Sequence, residues 1–273
     1  MADPVDSPVD ARSIARRLRV APGELPLALA ALHAALPVGA TWSASLTGRP
    51  PASLAEVVEG GGFSVLEATT TGRTRARVVA RRDHTLPDFV APGLRLLVVG
   101  CNPSLRSADA GVGFARPGNR FWPAALEAGV VSADRDPWGA VRTDRVGMTD
   151  LVKRATNDAA AVRPAEYRRG LARVERLVAW LAPGAVCVLG LEGWRTAADP
   201  RARPGVQPGE LGGRPVYLMP NPSGRNAHAT VASLAAHLRA ARALADDVAS
   251  ARPGDAPGDR VRPGRDRGAR GPG

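Results

Sequence analysis

This sequence has little sulfur, few aromatics and almost no lysine, and each shortage removes a class of chemistry. Its 273 residues include two cysteines, Cys101 and Cys187. That is too few for a disulfide framework, a four-cysteine zinc site or a four-thiolate iron–sulfur cluster. Lys153 is the single lysine among 37 basic side chains, so Schiff-base chemistry has one candidate. No apolar run approaches the ~18 residues of a membrane helix, so no membrane partner is expected. The first residues carry Asp3, Asp6 and Asp10 and do not read as a cationic, apolar signal peptide; a cytoplasmic protein is expected. His228 and His237 stand nine residues apart with no cysteine or acidic cluster beside them. No metal is therefore expected.

What is present is a 44 % apolar composition, ample for a core, and a net charge of +11. Gly 30 and Pro 25, without a three-residue period, indicate an ordinary domain with irregular additions. The positive excess is spread, +2 over residues 1–87, +6 over 88–250 and +3 over 251–273. Arginine forks suit phosphate oxygens, and a GC-rich genome also favours arginine. Charge by itself does not separate those explanations.

Periodicity divides the chain into an amino-terminal extension over residues 1–87, a central domain over 88–248 and a disordered Arg/Pro/Gly-rich tail over 249–273. In the extension, residues 11–20 read as a short basic helix and 24–36 as an apolar one. Residues 41–46 and 75–80 read as strands, with a helix near 53–59 between them. In the central domain, residues 94–100, 185–190 and 215–219 are short apolar runs typical of buried parallel strands. Helical patterns over 120–128, 164–181 and 230–248 alternate with them. This predicts an α/β sandwich with ligands at the carboxyl ends of the strands.

Two of those ends carry unusual loops: Gly100-Cys101-Asn102-Pro103-Ser104-Leu105-Arg106-Ser107 and Met219-Pro220-Asn221-Pro222-Ser223-Gly224-Arg225-Asn226-Ala227-His228. Either alone reads as a turn, because Asn, Pro, Ser and Gly are turn formers. Beyond the first loop, residues 110–122 supply three glycines, Phe114, Arg116, Arg120 and Trp122. That set suits a flat ring that must be stacked and a phosphate that must be held. Ser223 has no histidine–carboxylate relay to make it a nucleophile. Cys101 and Cys187 read as buried fillers.

The run from Ala91 through Asn102-Pro103-Ser104 to Asn119-Arg120-Phe121-Trp122, then Gly147-Met148-Thr149-Asp150-Leu151-Val152 and Asn221-Pro222-Ser223-Gly224, resembles the mismatch-specific uracil-DNA glycosylases and the related thymine-DNA glycosylases. The resemblance spans about residues 88–248. It implies a three-layer α/β/α sandwich around a short, largely parallel sheet, with a small α+β extension before it. It also implies base flipping from duplex DNA and hydrolysis of the glycosidic bond of a mismatched uracil or related pyrimidine by a monomer, with no organic cofactor. Asn102 would position the attacking water, and Phe114, Ser107, Cys101 and Asn221 would contact the base. Gly224 and Arg225 would form the wedge against the orphaned guanine, while Ser223, Arg106, Arg116 and Arg120 would meet phosphates.

The sequence departs from the family pattern at Ser104, often glycine; at Asp150, often basic or an amide; at Arg225, leucine in bacterial members; and at Ala227, commonly arginine. The alternative reading is a non-catalytic DNA- or nucleotide-binding module. Residues 1–87 faintly resemble the carboxy-terminal half of a class I methyltransferase, through Leu36-Pro37-Val38-Gly39-Ala40-Thr41 and Gly62-Phe63-Ser64-Val65, but no glycine-rich cofactor loop precedes them.

Overall fold

Pairing partners and covering helices decide which apolar runs become strands. The structure is a computed structural model and describes residues 14–18, 21–47, 54–71 and 75–250. The extension contains β1 (Ile14–Leu18), α1 (Leu25–Ala35), β2 (Thr41–Thr47), α2 (Leu54–Gly60), β3 (Phe63–Thr71) and β4 (Arg75–Arg82). Its sheet has the order β1-β2-β4-β3, with β1 parallel to β2 and the other pairs antiparallel. Leu29, Val58, Trp42, Phe63 and Val78 form its core beneath the two helices. The helix expected over 11–20 is corrected: Ile14–Leu18 is a strand in register with Trp42 to Leu46. Ten residues are too few to hold a helix unaided, and the open edge of β2 satisfies a strand's backbone.

The larger unit contains β5 (Leu96–Gly100), α3 (Leu105–Ala110), α4 (Phe121–Glu127), α5 (Pro137–Arg142), β6 (Val146–Asp150), α6 (Pro164–Leu181), β7 (Ala185–Leu189), α7 (Leu191–Ala197), β8 (Gly205–Leu211), β9 (Arg214–Met219) and α8 (Val231–Ser250). The sheet order is β6-β5-β7-β9-β8; only the edge strand β8 is antiparallel. Alternation sorts side chains onto two faces. Leu96, Val98, Cys187 and Met219 pack with α4, α5 and α8, whereas Leu97, Val99, Val188 and Leu218 pack with α6 and α7. The result is the expected α/β/α sandwich. Helix α8 runs to Ser250, and the expected tail beyond it lies outside the described residues.

The two units are joined by buried charge. Asp88 accepts from Thr149 Oγ1 at 2.7 Å, Lys153 Nζ at 2.7 Å and Arg173 Nη1 at 2.8 Å, and its own N–H bonds Gly60 O at 2.8 Å. Arg173 also donates to Thr149 Oγ1 and to the Asp150 carbonyl. Glu56 and Glu59 of α2 pair with Arg176 and Arg169 of α6. A cavity of about 550 Å³ lies at this junction. Its cations Lys153, Arg154, Arg169 and Arg173 all have carboxylate partners, so it offers no free charge to a ligand.

Candidate active site

Parallel strands place their carboxyl ends on one edge, and the loops after β5, β6, β7 and β9 meet there around a cleft of about 400 Å³. Asn102 lines it. Its Nδ2 donates to the carbonyls of Pro103 at 3.0 Å and Thr156 at 3.2 Å. A carboxamide carries hydrogens only on nitrogen, so these two carbonyls orient the group and leave Oδ1 as an acceptor with no partner among the described residues. Thr156 is itself held, because its N–H bonds Pro103 O at 3.0 Å. The post-β6 loop is therefore what aims Asn102.

Phe114 stands in the cleft with φ 59°, a left-handed conformation that costs a non-glycine residue on the order of 1–3 kcal/mol. Two contacts hold it there. Its ring lies 4.3 Å from Phe121, centroid to centroid, and Trp122 Nε1 bonds the preceding carbonyl, Gly113 O, at 2.8 Å. Ser107 is buried, with Oγ 3.0 Å from Ser104 Oγ. Ser104 Oγ also accepts from Ser107 N at 3.1 Å, capping α3. The serine at this departure from the family pattern thus has a helix-capping role.

The second loop is clamped to the first. Arg120, expected to meet phosphate, donates its backbone N–H to Pro222 O at 2.9 Å, and its Nη1 bonds Asn226 O at 3.0 Å. Its guanidinium holds the loop. Gly224 lies so near Gly118 that a Cβ would stand 2.8 Å from the Gly118 oxygen, so only glycine fits. Asn221 Oδ1 accepts from Ser223 N at 2.9 Å, leaving Nδ2 without a partner among the described residues. Asn102 thus offers an acceptor and Asn221 a donor to the same cleft.

Ser223, Arg116 and Arg225 also line the cleft; the two arginine side chains make no ion pair among the described residues, and Arg225 is exposed at the rim. Arg106 lies outside, beside Arg135 on an adjoining surface. Cys101, expected against the base, also lines the cleft, and its Sγ is directed to Tyr167 Oη at 3.7 Å, where burial raises its thiol pKa. That side chain packs on the α6–α7 face, across the sheet from Phe114. His237 Nδ1 is 2.8 Å from Tyr217 Oη.

The profile of the uracil DNA glycosylase superfamily matches residues 87–245. The chain belongs to that superfamily. Its chemistry is therefore that of a DNA glycosylase, a hydrolase of DNA repair, and its substrate is DNA. An NMR structure of a candidate uracil DNA glycosylase from Methanosarcina acetivorans is similar at 16% identity over 59% of this chain and 96% of that one, with a TM-score of 0.39.

In this glycosylase, residues without a recognisable signature complete the site. The carbonyl of Thr156 acts through the backbone, which any residue type supplies, so no sequence pattern marks it. Glu192, at the start of α7, lines the cleft; the glycine closing β7 was its only signal. Asp150 lies beneath the floor: a Cβ on Gly100 would stand 2.4 Å from its Oδ1, which requires glycine there. Burial pushes the Asp150 carboxyl up to about 6, and Asp88 adds to this, while Lys153 and Arg173 oppose it. An unfolded Asp titrates near ~3.9. As pH rises between these values, the unfolded chain releases its proton first, and stability falls. Asp150→Asn is therefore expected to raise stability at pH ~7.5 by on the order of 2–3 kcal/mol and to make little difference near pH 4. A melting temperature at pH ~7.5 below wild type would contradict this.

Proposed function

We propose that this glycosylase is a monofunctional, mismatch-directed enzyme that flips uracil, or a related pyrimidine, out of duplex DNA and hydrolyses its glycosidic bond, acting as a monomer. The orientation of Asn102 carries the reading. Its free Oδ1 suits it to hold a water by accepting a hydrogen bond, and an amide has no appreciable basicity. Rate acceleration then rests on water placement and on stabilising the departing base anion. The unpartnered Nδ2 of Asn221 is a donor suited to a pyrimidine carbonyl as charge builds on it. Phe114 supplies a ring for stacking. Lys153 is tied to Asp88, away from the cleft, which favours water over a lysine nucleophile. A mismatched base is already weakly paired and costs less to extrude.

The test uses duplexes containing G·U, G·T or A·U and a single strand containing U, followed by alkali. Strand breaks are expected with G·U first among them. Tight binding without breaks on any substrate would replace this reading with the non-catalytic DNA-binding module.

Arg225 is the proposed wedge, its guanidinium free to contact the orphaned guanine or a phosphate. Arg225→Ala is expected to weaken retention on the abasic product opposite guanine by roughly tenfold, measured by competition binding. Equal affinity would remove Arg225 from that role.

A further inference from the structure

The extension's sheet has one face under helices and one face left open by the described residues. On β4, Ala76, Val78 and Ala80 are buried beneath α1 and α2, while Arg75, Arg77 and Arg81 alternate with them and are exposed. Residues two apart on a strand share a face at ~7 Å spacing, so the three arginines form a column along the open side. Register places hydroxyls beside them: Ser45 and Thr69 flank Arg77, and Thr41 and Ser64 flank Arg81. Two carboxylates among the described residues border the column: Glu67 opposite Val79, and Asp83, which accepts from Ser64 Oγ at 2.7 Å beside Arg81.

Most of the charge on this column has no close partner among the described residues. Arg75 and Arg77 make no hydrogen bond or ion pair among the described residues, and Arg81 has only a 4.0 Å contact with Asp83. By contrast, Arg169, Arg173 and Arg176, which face this extension from α6, are all paired with carboxylates. Arginine forks with no carboxylate in close hydrogen-bonded contact, set beside the hydroxyls of Ser45, Thr69 and Thr41, are complementary to a run of phosphates, which accept from both. None of the three arginines lines the cleft. Helices α1 and α2 lie between the sheet and the catalytic unit, with α1 reaching that unit's core through Ala30 and α2 joined to α6 by ion pairs.

We propose that the open face of this sheet, centred on Arg75, Arg77 and Arg81, is a second, sequence-blind contact for the phosphate backbone of duplex DNA, separate from the lesion cleft. It would hold the protein on undamaged DNA through counterion release, each phosphate neutralised adding ~0.9 to the slope of log affinity against log salt.

The full chain carrying Arg75→Ser, Arg77→Ser and Arg81→Ser is titrated by fluorescence anisotropy with undamaged duplex between about 50 and 200 mM salt. The expected result is a salt slope shallower by about 2–3 and weaker binding at every salt concentration. Arg77→Gln alone, a milder change, is expected to reduce the slope by about 1. Single-turnover excision on a short G·U duplex at saturating enzyme is expected to be unchanged. Because binding is read on undamaged DNA, loss of this contact and failure of the glycosylase reading remain distinguishable. An unchanged slope in both variants would overturn the proposal. So would an affinity loss confined to vesicles containing anionic phospholipid, which would make the face a membrane contact.

Discussion

Asn102→Ala is expected to slow base release from a G·U duplex by roughly 10²–10³-fold in single-turnover assays, with DNA affinity nearly unchanged. The size follows from what the amide does. Its Nδ2 is anchored by two carbonyls, so Oδ1 stands in one place before substrate arrives. An attacking water bonded there has already lost its orientational freedom. Alanine leaves that water to the rest of the cleft and leaves the Pro103 and Thr156 carbonyls without their shared donor. Neither loss touches the arginines that would face phosphate, which is why affinity and rate should separate. A parallel fall in both would indicate a collapsed loop, and unchanged turnover would remove Asn102 from the reaction. Asn102→Asp is a sharper probe. A carboxylate aimed at two carbonyls is repelled, so the aspartate should be poorly active despite its greater basicity.

Asp88→Ala is expected to destabilise the fold by about 3–5 kcal/mol, among the largest effects of any single change in this chain. Burial alone would raise the Asp88 pKa. The attractions of Arg173 and Lys153, with hydrogen bonds from Lys153 and Thr149, outweigh burial and hold it below the ordinary carboxylate range. Removing the carboxylate takes the direct ion-pair partner from Lys153 and Arg173, both nearly inaccessible, leaving only the Asp150 charge near them among the described residues. The same linkage gives the wild type an acid limit: the Asp88 contribution is complete above the unfolded value of ~3.9 and is lost as pH falls through the lower folded value. Urea denaturation at neutral pH measures the difference. A loss below about 1 kcal/mol would mean the cluster is solvated or replaceable. Asp88 lies outside the cleft, so excision per folded molecule should survive the substitution.

Much of the frame could be read because buried parallel strands announce themselves. Leu96–Gly100, Ala185–Leu189 and Arg214–Met219 are covered on both faces and so are nearly continuous in apolar residues, and α6 begins and ends where its pattern does. The strand Val146–Asp150 has no such pattern. Thr149 is buried because Asp88 and Arg173 satisfy it, and Gly147 is present because Leu94 packs where a side chain would project. The edge strand β8 contains Pro208 and Gly209 and is largely exposed, so it does not read as a strand. Residues 14–18 became a strand because of a partner nearly thirty residues away.

The site divides in the same way. The sequence by itself pointed to the superfamily, to the strand ends around the cleft, and to Asn102, Phe114 and Asn221, which the structure brings together in its lining, because turn-forming loops after apolar runs are local signals. Only the tertiary structure decided which end of the Asn102 amide is free, that Arg120 clamps a loop, that the Cys101 thiol turns towards Tyr167, and that the extension leaves Arg75 and Arg77 unpaired among the described residues. These depend on carbonyls, carboxylates and close approaches contributed from distant parts of the chain. Local pattern records what each residue prefers, whereas hydrogen-bond satisfaction is settled only when those distant partners meet.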